Sequence, residues 1–323
     1  MSKYRTAKYL KSLYREYGPS KPMGMSLSDR SKPHYFLHRN FLGEQDLAIL
    51  FNTKRCRYQC KFCALPFKSS SDWVSTEDIL SQYLYVLQQV KHSLSVLERI
   101  TIANEGSVFD VETFAPEALA DIVRSTKILT RVRKLVFETR LEFIDIARLR
   151  EVKKISDKQV DILTGFETHD EHIRDNILGK REPLDSFLLG LDKVADTESE
   201  LTTYILFKPS PYMTDSEAMI EAENSIDYVT TQCHKRAIPV SIRLNPMYVS
   251  KQTPWAKLAE SNSYKPPRLS DVLELAQEKR REGVKIYIGL TSEGLADTSG
   301  TYKGREDFSF KLLNQALQFN SKF

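Results

Sequence analysis

Along the chain, apolar runs of strand length alternate with longer stretches whose apolar positions recur every three or four residues. The runs are 47–51 (LAILF), 100–103 (ITIA), 134–138 (KLVFE), 160–166 (VDILTGF), 202–208 (TTYILFK), 240–245 (VSIRLN) and 284–290 (VKIYIGL). Near-continuous apolar content predicts strands covered on both faces of a parallel sheet. Between them, Ser75-Thr-Glu-Asp opens a helical pattern with acidic residues in its first turn, running to about Glu98. Pro116-Glu-Ala-Leu and Asp215-Ser-Glu-Ala open two more. The repeating strand–helix order predicts βαβ units with right-handed crossovers. Six or seven such units give an α/β fold, a partial (β/α)6-type barrel of parallel strands. The expected organisation is an N-terminal helical extension over 1–40, the barrel core over 41–250, and a C-terminal extension over 251–323 with one further strand and helices. The sequence shows no internal repeat, low-complexity tract or clear interdomain linker.

Composition refines this picture only modestly. The 323 residues, 41% of them hydrophobic, suffice for one large core. A net charge of +4 falls short of what alone argues for nucleic acid. Residues 1–20 interleave Lys3, Arg5, Lys8, Lys11 and Arg15 with Tyr4, Tyr9, Tyr14 and Tyr17. That pattern suits either an arm that stacks on bases and meets phosphates or an amphipathic helix with solvated lysines. No apolar segment suits a secretory signal, and no run approaches 18 apolar residues. The expectation is a cytoplasmic protein with no membrane contact.

Cysteine placement changes the picture most. Cys56, Cys60 and Cys63 fall within eight residues, and Cys233 is remote. Clustering of this kind in a large chain reads as metal or redox chemistry in a reducing compartment, not as a disulfide scaffold. The spacing C-x3-C-x2-C lies directly after the first predicted strand, where strand-end loops of a barrel build active sites. Three thiolates in one loop can wrap three corners of a cubane iron–sulfur cluster and leave the fourth iron open to chelate S-adenosylmethionine (SAM). The competing reading is a zinc-stabilised binding module, with Cys233 or a histidine as fourth ligand. Zinc knuckles, however, favour C-x2-C pairs, and a second pair is missing. His34, His38, His92, His169, His172 and His234 form no metal-ligand spacing. Cys233, late in a predicted helix, suits a small core residue better than a hydrogen-atom donor.

The triad, with Phe62 before its last cysteine, resembles the signature of the radical SAM superfamily. The resemblance implies a radical SAM partial barrel, a 4Fe–4S cluster on Cys56, Cys60 and Cys63, and Phe62 bordering the adenine of SAM. Other strand ends then acquire expected roles in binding SAM. Asn104-Glu105-Gly106-Ser107 follows the second predicted strand, where the superfamily places a turn that meets the SAM amino group. Glu138 and Arg140, two apart at the end of the third, point to one face and suit a ribose or a zwitterion. Gly165-Phe166-Glu167-Thr168 ends the fourth and resembles the superfamily's G-x-E-[ST] turn, bringing Glu167 over the barrel. Lys208 in FKPSP and Asn245 in LNP end the fifth and sixth, positions that suit substrate or SAM contacts.

The later motifs E-T-R, G-F-E-T, Y-I-L-F-K-P, L-N-P and Y-K-P-P-R-L resemble the branch of radical SAM proteins related to the elongator catalytic subunit, archaeosine synthase included. The resemblance spans roughly residues 45–300. It implies reductive cleavage of SAM to a 5′-deoxyadenosyl radical, with reduced flavodoxin or ferredoxin as electron donor. Hydrogen abstraction would follow on a small molecule or modified nucleoside, with C–N or C–C bond cleavage or rearrangement. In the archaeosine relative the radical cleaves a lysine adduct on a deazaguanine base of tRNA. The alternative reading is therefore tRNA base modification, with a partner subunit. Only Cys233 remains outside the triad, so a second cluster with a full cysteine set is not expected.

Overall fold

All seven predicted parallel strands form, and an eighth strand joins them at the edge of one sheet. The computed structural model describes residues 29–58, 60–63, 65, 69–247, 249–250, 253–261, 263–290, 301–302 and 310–323. The basic, tyrosine-rich segment over 1–20 lies outside these residues, as do 291–300 and 303–309 of the C-terminal extension.

In chain order the strands are β1 (Tyr35–Phe41), β2 (Glu44–Phe51), β3 (Arg99–Asn104), β4 (Lys134–Glu138), β5 (Gln159–Glu167), β6 (Glu200–Phe207), β7 (Val240–Pro246), β8 (Val249–Ser250), β9 (Lys285–Ile288) and β10 (Thr301–Tyr302). The main sheet runs β1-β2-β3-β4-β5-β6-β7-β9, and β8 pairs separately with β10. Within the main sheet β1 is antiparallel to β2; every later pair is parallel. The sheet curls into a half-barrel with helices on its outer face. The principal helices are α1 (Thr76–Gln89), α2 (Pro116–Ser125), α3 (Ile146–Ser156), α4 (Leu184–Asp196), α5 (Asp215–His234), α6 (Trp255–Glu260), α7 (Leu269–Arg281) and α8 (Phe310–Ser321).

The starts of three helices follow the sequence signals. Ser75 caps α1 by accepting from the Asp78 N–H. Pro116 occupies the first turn of α2, and Thr214 and Glu217 form a capping box on α5. Among the described residues no helix is long and apolar enough to cross a membrane.

Residues 35–40 differ from expectation: assigned with 1–40 to a helical extension, they form, with Phe41, the antiparallel edge strand. Their sequence YFLHRNF mixes apolar and polar residues and is mostly half-buried. Neither a helical stripe nor a clean alternation announces it.

Side chains alternate across each strand. Ile100 and Ile102 of β3, Leu135 and Phe137 of β4, and Ile162 and Phe166 of β5 pack outward with Val86, Leu119, Ile122, Leu149 and Phe187 in one buried core. Each such side chain contributes roughly 1.5–3 kcal/mol by leaving water. The intervening residues Thr101, Ala103, Glu138, Leu163, Tyr204 and Arg243 line the barrel interior.

At the amino end of the barrel the interior is filled with paired charge. Arg99 lies 3.3 Å from Asp161 and 3.7 Å from Asp46. Lys134 bridges Glu44 at 3.3 Å and Glu200 at 2.9 Å. Thr101 donates to Asp46 at 2.8 Å and Thr202 to Asp161 at 2.7 Å. The far edge strand, β9, is met by side chains. Asn320 accepts from the Ile288 N–H at 2.9 Å and donates to its carbonyl at 2.8 Å, while Arg280 donates to the Ile286 carbonyl at 2.9 Å.

Candidate functional site at the carboxyl end of the half-barrel

The loop that follows β2 carries the cysteine triad and is fixed at its root by a buried amide. Gln82 of α1 accepts from the Asn52 N–H and donates to the Asn52 carbonyl, each at 2.9 Å. Further on, the loop returns on itself: Arg55 N–H donates to the Ser70 carbonyl at 2.8 Å. Three neighbouring strand ends then clamp it. After β3, Gly106 lies against the loop: a methyl group there would stand 3.4 Å from the Cys56 Cα, in ordinary contact. Asp110 accepts two bonds from Arg57, at 3.0 and 2.5 Å. After β4, Arg140 stacks 3.9 Å over the Tyr58 ring, and the Tyr58 hydroxyl bonds Glu142. After β5, the Leu178 carbonyl accepts from the Lys61 N–H and the Asn176 carbonyl from Lys61 Nζ, both at 2.7 Å.

Phe62 packs against an apolar cluster of Ile173, Ile177, Leu178, Leu206, Met247 and Trp255. This cluster keeps water from one side of the loop.

Burial dominates the chemistry of the three thiols. It pushes Cys56 up, Cys60 up to about 11, and Cys63 well above the ordinary thiol value. Cys60 and Cys56 raise Cys63 further, so the three groups sense one another. Lys180 and Arg140 pull the Cys60 thiol back down. Among the described residues no three His, Cys, Asp or Glu side chains converge as a ready metal-ligand set. The donor set nonetheless fits a thiolate-bound iron–sulfur cluster: three neighbouring half-buried thiols resist ionisation alone, and a metal that displaces their protons relieves that cost. Zinc needs a fourth ligand, and Cys233 does not supply it. It is wholly buried in the core under α5, its thiol pushed up to about 12 by burial.

The remaining residues singled out from sequence fall into two groups. Glu105, Glu138, Glu167, Lys208 and Asn245 stand at or just beyond the carboxyl ends of β3, β4, β5, β6 and β7. Glu105 is buried, and its carboxyl meets the His34 imidazole. Glu138 faces the interior, where burial, more than any neighbour, lifts its carboxyl to about 7; Arg243 and Arg39 oppose the rise. Glu167 sits at an irregularity in the β5–β6 register with φ +73°, a strained backbone for a side-chain-bearing residue. Its carboxylate folds back over Gly165, so closely that a methyl group on Gly165 would overlap it. Lys208, also at positive φ (+67°), donates to Asp215 at 2.9 Å.

Asn104 and Arg140 belong to the scaffold of the loops. The Asn104 amide donates to Thr53 at 3.0 Å and its oxygen accepts from the Gly106 N–H at 3.2 Å, which shapes the turn. Arg140 donates to the carbonyls of Lys180 and Arg181, at 2.8 and 3.1 Å.

Sequence reasoning missed the buried group formed by Arg174, Lys180 and Glu182 behind Glu167. Lys180 Nζ lies 3.2 Å from Glu182 and 3.9 Å from Glu167, and Arg174 lies 2.9 Å from Glu182. It also missed Tyr204 and Arg243 inside the barrel. The signal available was the run ILGKRE, charges set directly after an apolar pair. Arg243 sits two residues before Asn245, on the same strand face.

No protein-family model matches the chain. It is 24% identical over 289 residues to an uncharacterised protein of Methanocaldococcus jannaschii, covering 87% of this chain and 77% of that one. It is 22% identical over 246 residues to archaeosine synthase subunit beta of Methanosarcina acetivorans, covering 75% and 68%. The subunit of the same name from Thermococcus kodakarensis is 22% identical over 278 residues, covering 84% and 83%. Among solved structures, queuine lyase from Clostridium spiroforme, bound to SAM and queuine, superposes with TM-score 0.51 at 12% identity, covering 82% of this chain and 99% of that one. A spore photoproduct lyase variant superposes with TM-score 0.51 at 14% identity, covering 90% and 76%. The fold is the partial barrel of radical SAM enzymes.

Proposed function

We propose that this chain is a radical SAM enzyme, with Cys56, Cys60 and Cys63 holding a 4Fe–4S cluster and the carboxyl end of the half-barrel holding SAM. One observation carries the reading: three cysteines spaced C-x3-C-x2-C sit on the loop after β2, clamped against the ends of β3, β4 and β5 in a half-barrel of this fold. When bound, the cluster and SAM supply one-electron cleavage of a sulfur–carbon bond to a 5′-deoxyadenosyl radical, which takes a hydrogen atom from the substrate. Reduced flavodoxin or ferredoxin provides the electron.

The chain's own residues hold and enclose these groups. Gly106, in the turn after β3, packs beside Cys56. Glu105, fixed by His34, presents a carboxylate for an ammonium group. Phe62 and the apolar cluster around it form the dry wall beside the adenine. Arg140 locks the cysteine loop through Tyr58. Glu167, Lys208 and Asn245 line the rim above an interior containing Glu138, Tyr204 and Arg243. That polar interior suits a small molecule or modified nucleoside, with C–N or C–C bond cleavage or rearrangement.

Anaerobic reconstitution tests the reading. Iron and sulfide should bind at a 4Fe–4S stoichiometry, and reduction with SAM should release 5′-deoxyadenosine. Cys60→Ala should abolish that release; retained turnover would refute the assignment. The relatives named archaeosine synthase subunit beta favour a second reading, in which the same chemistry acts on a tRNA base with a partner subunit. RNA binding that falls steeply with salt and is lost on deleting residues 1–20 supports it; absence of binding at low salt ends it.

A further inference from the structure

The group behind Glu167 has no task in the reading above. Arg140, Arg174 and Lys180 meet Glu142, Glu167 and Glu182 in one connected network. Arg174, Lys180, Glu167 and Glu182 are all buried. A buried network of this kind is a costly way to stabilise a fold, so its placement asks for a reason.

The network touches the cysteine loop. The segment that carries Lys180 leaves a short π-helix (His172–Ile177), a distortion that recurs at functional sites. Its carbonyls at Asn176 and Leu178 hold Lys61, which lies between Cys60 and Cys63. The Lys180 carbonyl holds Arg140, which stacks on Tyr58, between Cys56 and Cys60. The bulge and strained backbone of β5 turn the Glu167 carboxylate back over Gly165, where a methyl group would stand 3.3 Å from Lys180 Nζ. Glu182 is answered by Arg174 at 2.9 Å as well as by Lys180 at 3.2 Å. Glu167, by contrast, is 3.9 Å from Lys180. At that distance the Glu167 carboxylate offsets the Lys180 charge less than Glu182 does.

We propose that Lys180 is a positioning residue whose buried ammonium, set against Glu167, fixes the charge beside the cysteine loop and thereby sets the reduction potential of the cluster bound there. The inference rests on the radical SAM reading. A thiolate cluster gains negative charge on reduction. A nearby cation in a low-dielectric setting therefore favours the reduced form, and a nearby carboxylate opposes it. Lys180 and Glu167 thus act with opposite signs on one quantity.

The experiment is a redox titration of reconstituted protein without SAM, followed by the spectroscopic signal of the reduced cluster. Lys180→Met should lower the midpoint. A tenfold smaller reduced-to-oxidised ratio at fixed potential corresponds to about 59 mV for one electron. Glu167→Gln should raise it, and Lys180→Arg should stay near the unmodified chain. Opposite shifts support the proposal, because a merely structural role gives no sign reversal. Unmoved midpoints, or shifts of the same sign, overturn it while leaving the cluster assignment standing. A chain that takes up no cluster ends both. Should Lys180→Met fail to take up a cluster, Lys180→Arg decides. Uptake at the unmodified potential supports the charge role, and loss in that variant too overturns it.

Discussion

The two ends of the half-barrel are built from the same strands and both bury charge, yet they treat it differently. At the amino end, Arg99 and Lys134 each face two or more carboxylates, and hydroxyls of Thr101 and Thr202 complete the set. At the carboxyl end, burial leaves thiols and carboxyls far from their ordinary values: Cys60 at about 11 and Glu138 at about 7. Matched charge at one end fixes strand positions. Mismatched charge at the other is free energy held at the place where ligands would bind. The difference separates packing from chemistry within a single sheet.

The largest expected effect breaks the matched end. Arg99→Met leaves Asp46 and Asp161 buried with less compensation, which costs about 3–5 kcal/mol, measured by chemical denaturation at neutral pH. Protein that still folds should take up iron and sulfide as the unmodified chain does. A loss below about 1 kcal/mol would show that the network does not fix the strands.

Next in size is the mismatched end. Glu138 holds its proton up to about pH 7 when folded but only to about 4.5 when unfolded. Between those values the folded state binds more protons, so stability falls as pH rises through the window. The group costs nothing below pH 4.5 and its full penalty, about 3 kcal/mol, above pH 7. Glu138→Gln should remove that slope, gaining on the unmodified chain from pH 4.5 to 7 in denaturation curves. Parallel curves for the two proteins would place the carboxyl in water.

The smallest effect is a control that belongs to neither end. Cys233→Ala trims a wholly buried thiol and should cost about 1 kcal/mol in stability. Release of 5′-deoxyadenosine and deuterium transfer to product should not change. Lost deuterium transfer in stable protein would make Cys233 a hydrogen donor and redraw the boundary between core and site.

Most of the sheet was legible because burial on both faces writes itself as apolar runs, and β2 to β7 and β9 fall where the runs lie. The edge strand β1 was not, since among the described residues no strand pairs with its outer side and His38, Arg39 and Asn40 break the pattern. The cysteine triad stands out in the sequence by its spacing, and the fold sets it on the loop after β2. Lys180, Glu182 and Arg174 were not. Their partnership depends on a π-helical turn and a β-bulge, neither of which has a period that a sequence displays. Asn104 was singled out by position, but position did not reveal that its amide is spent on the turn itself.

The treatment of β9 carries a last consequence. A sheet that stops short of closing leaves a rim where a stranger's backbone can attach. Among the described residues no strand lies beyond β9; Asn320 supplies both an acceptor and a donor to Ile288, and Arg280 a donor to Ile286. Within the described residues, two side chains thus occupy three backbone groups on β9 that an incoming strand would need.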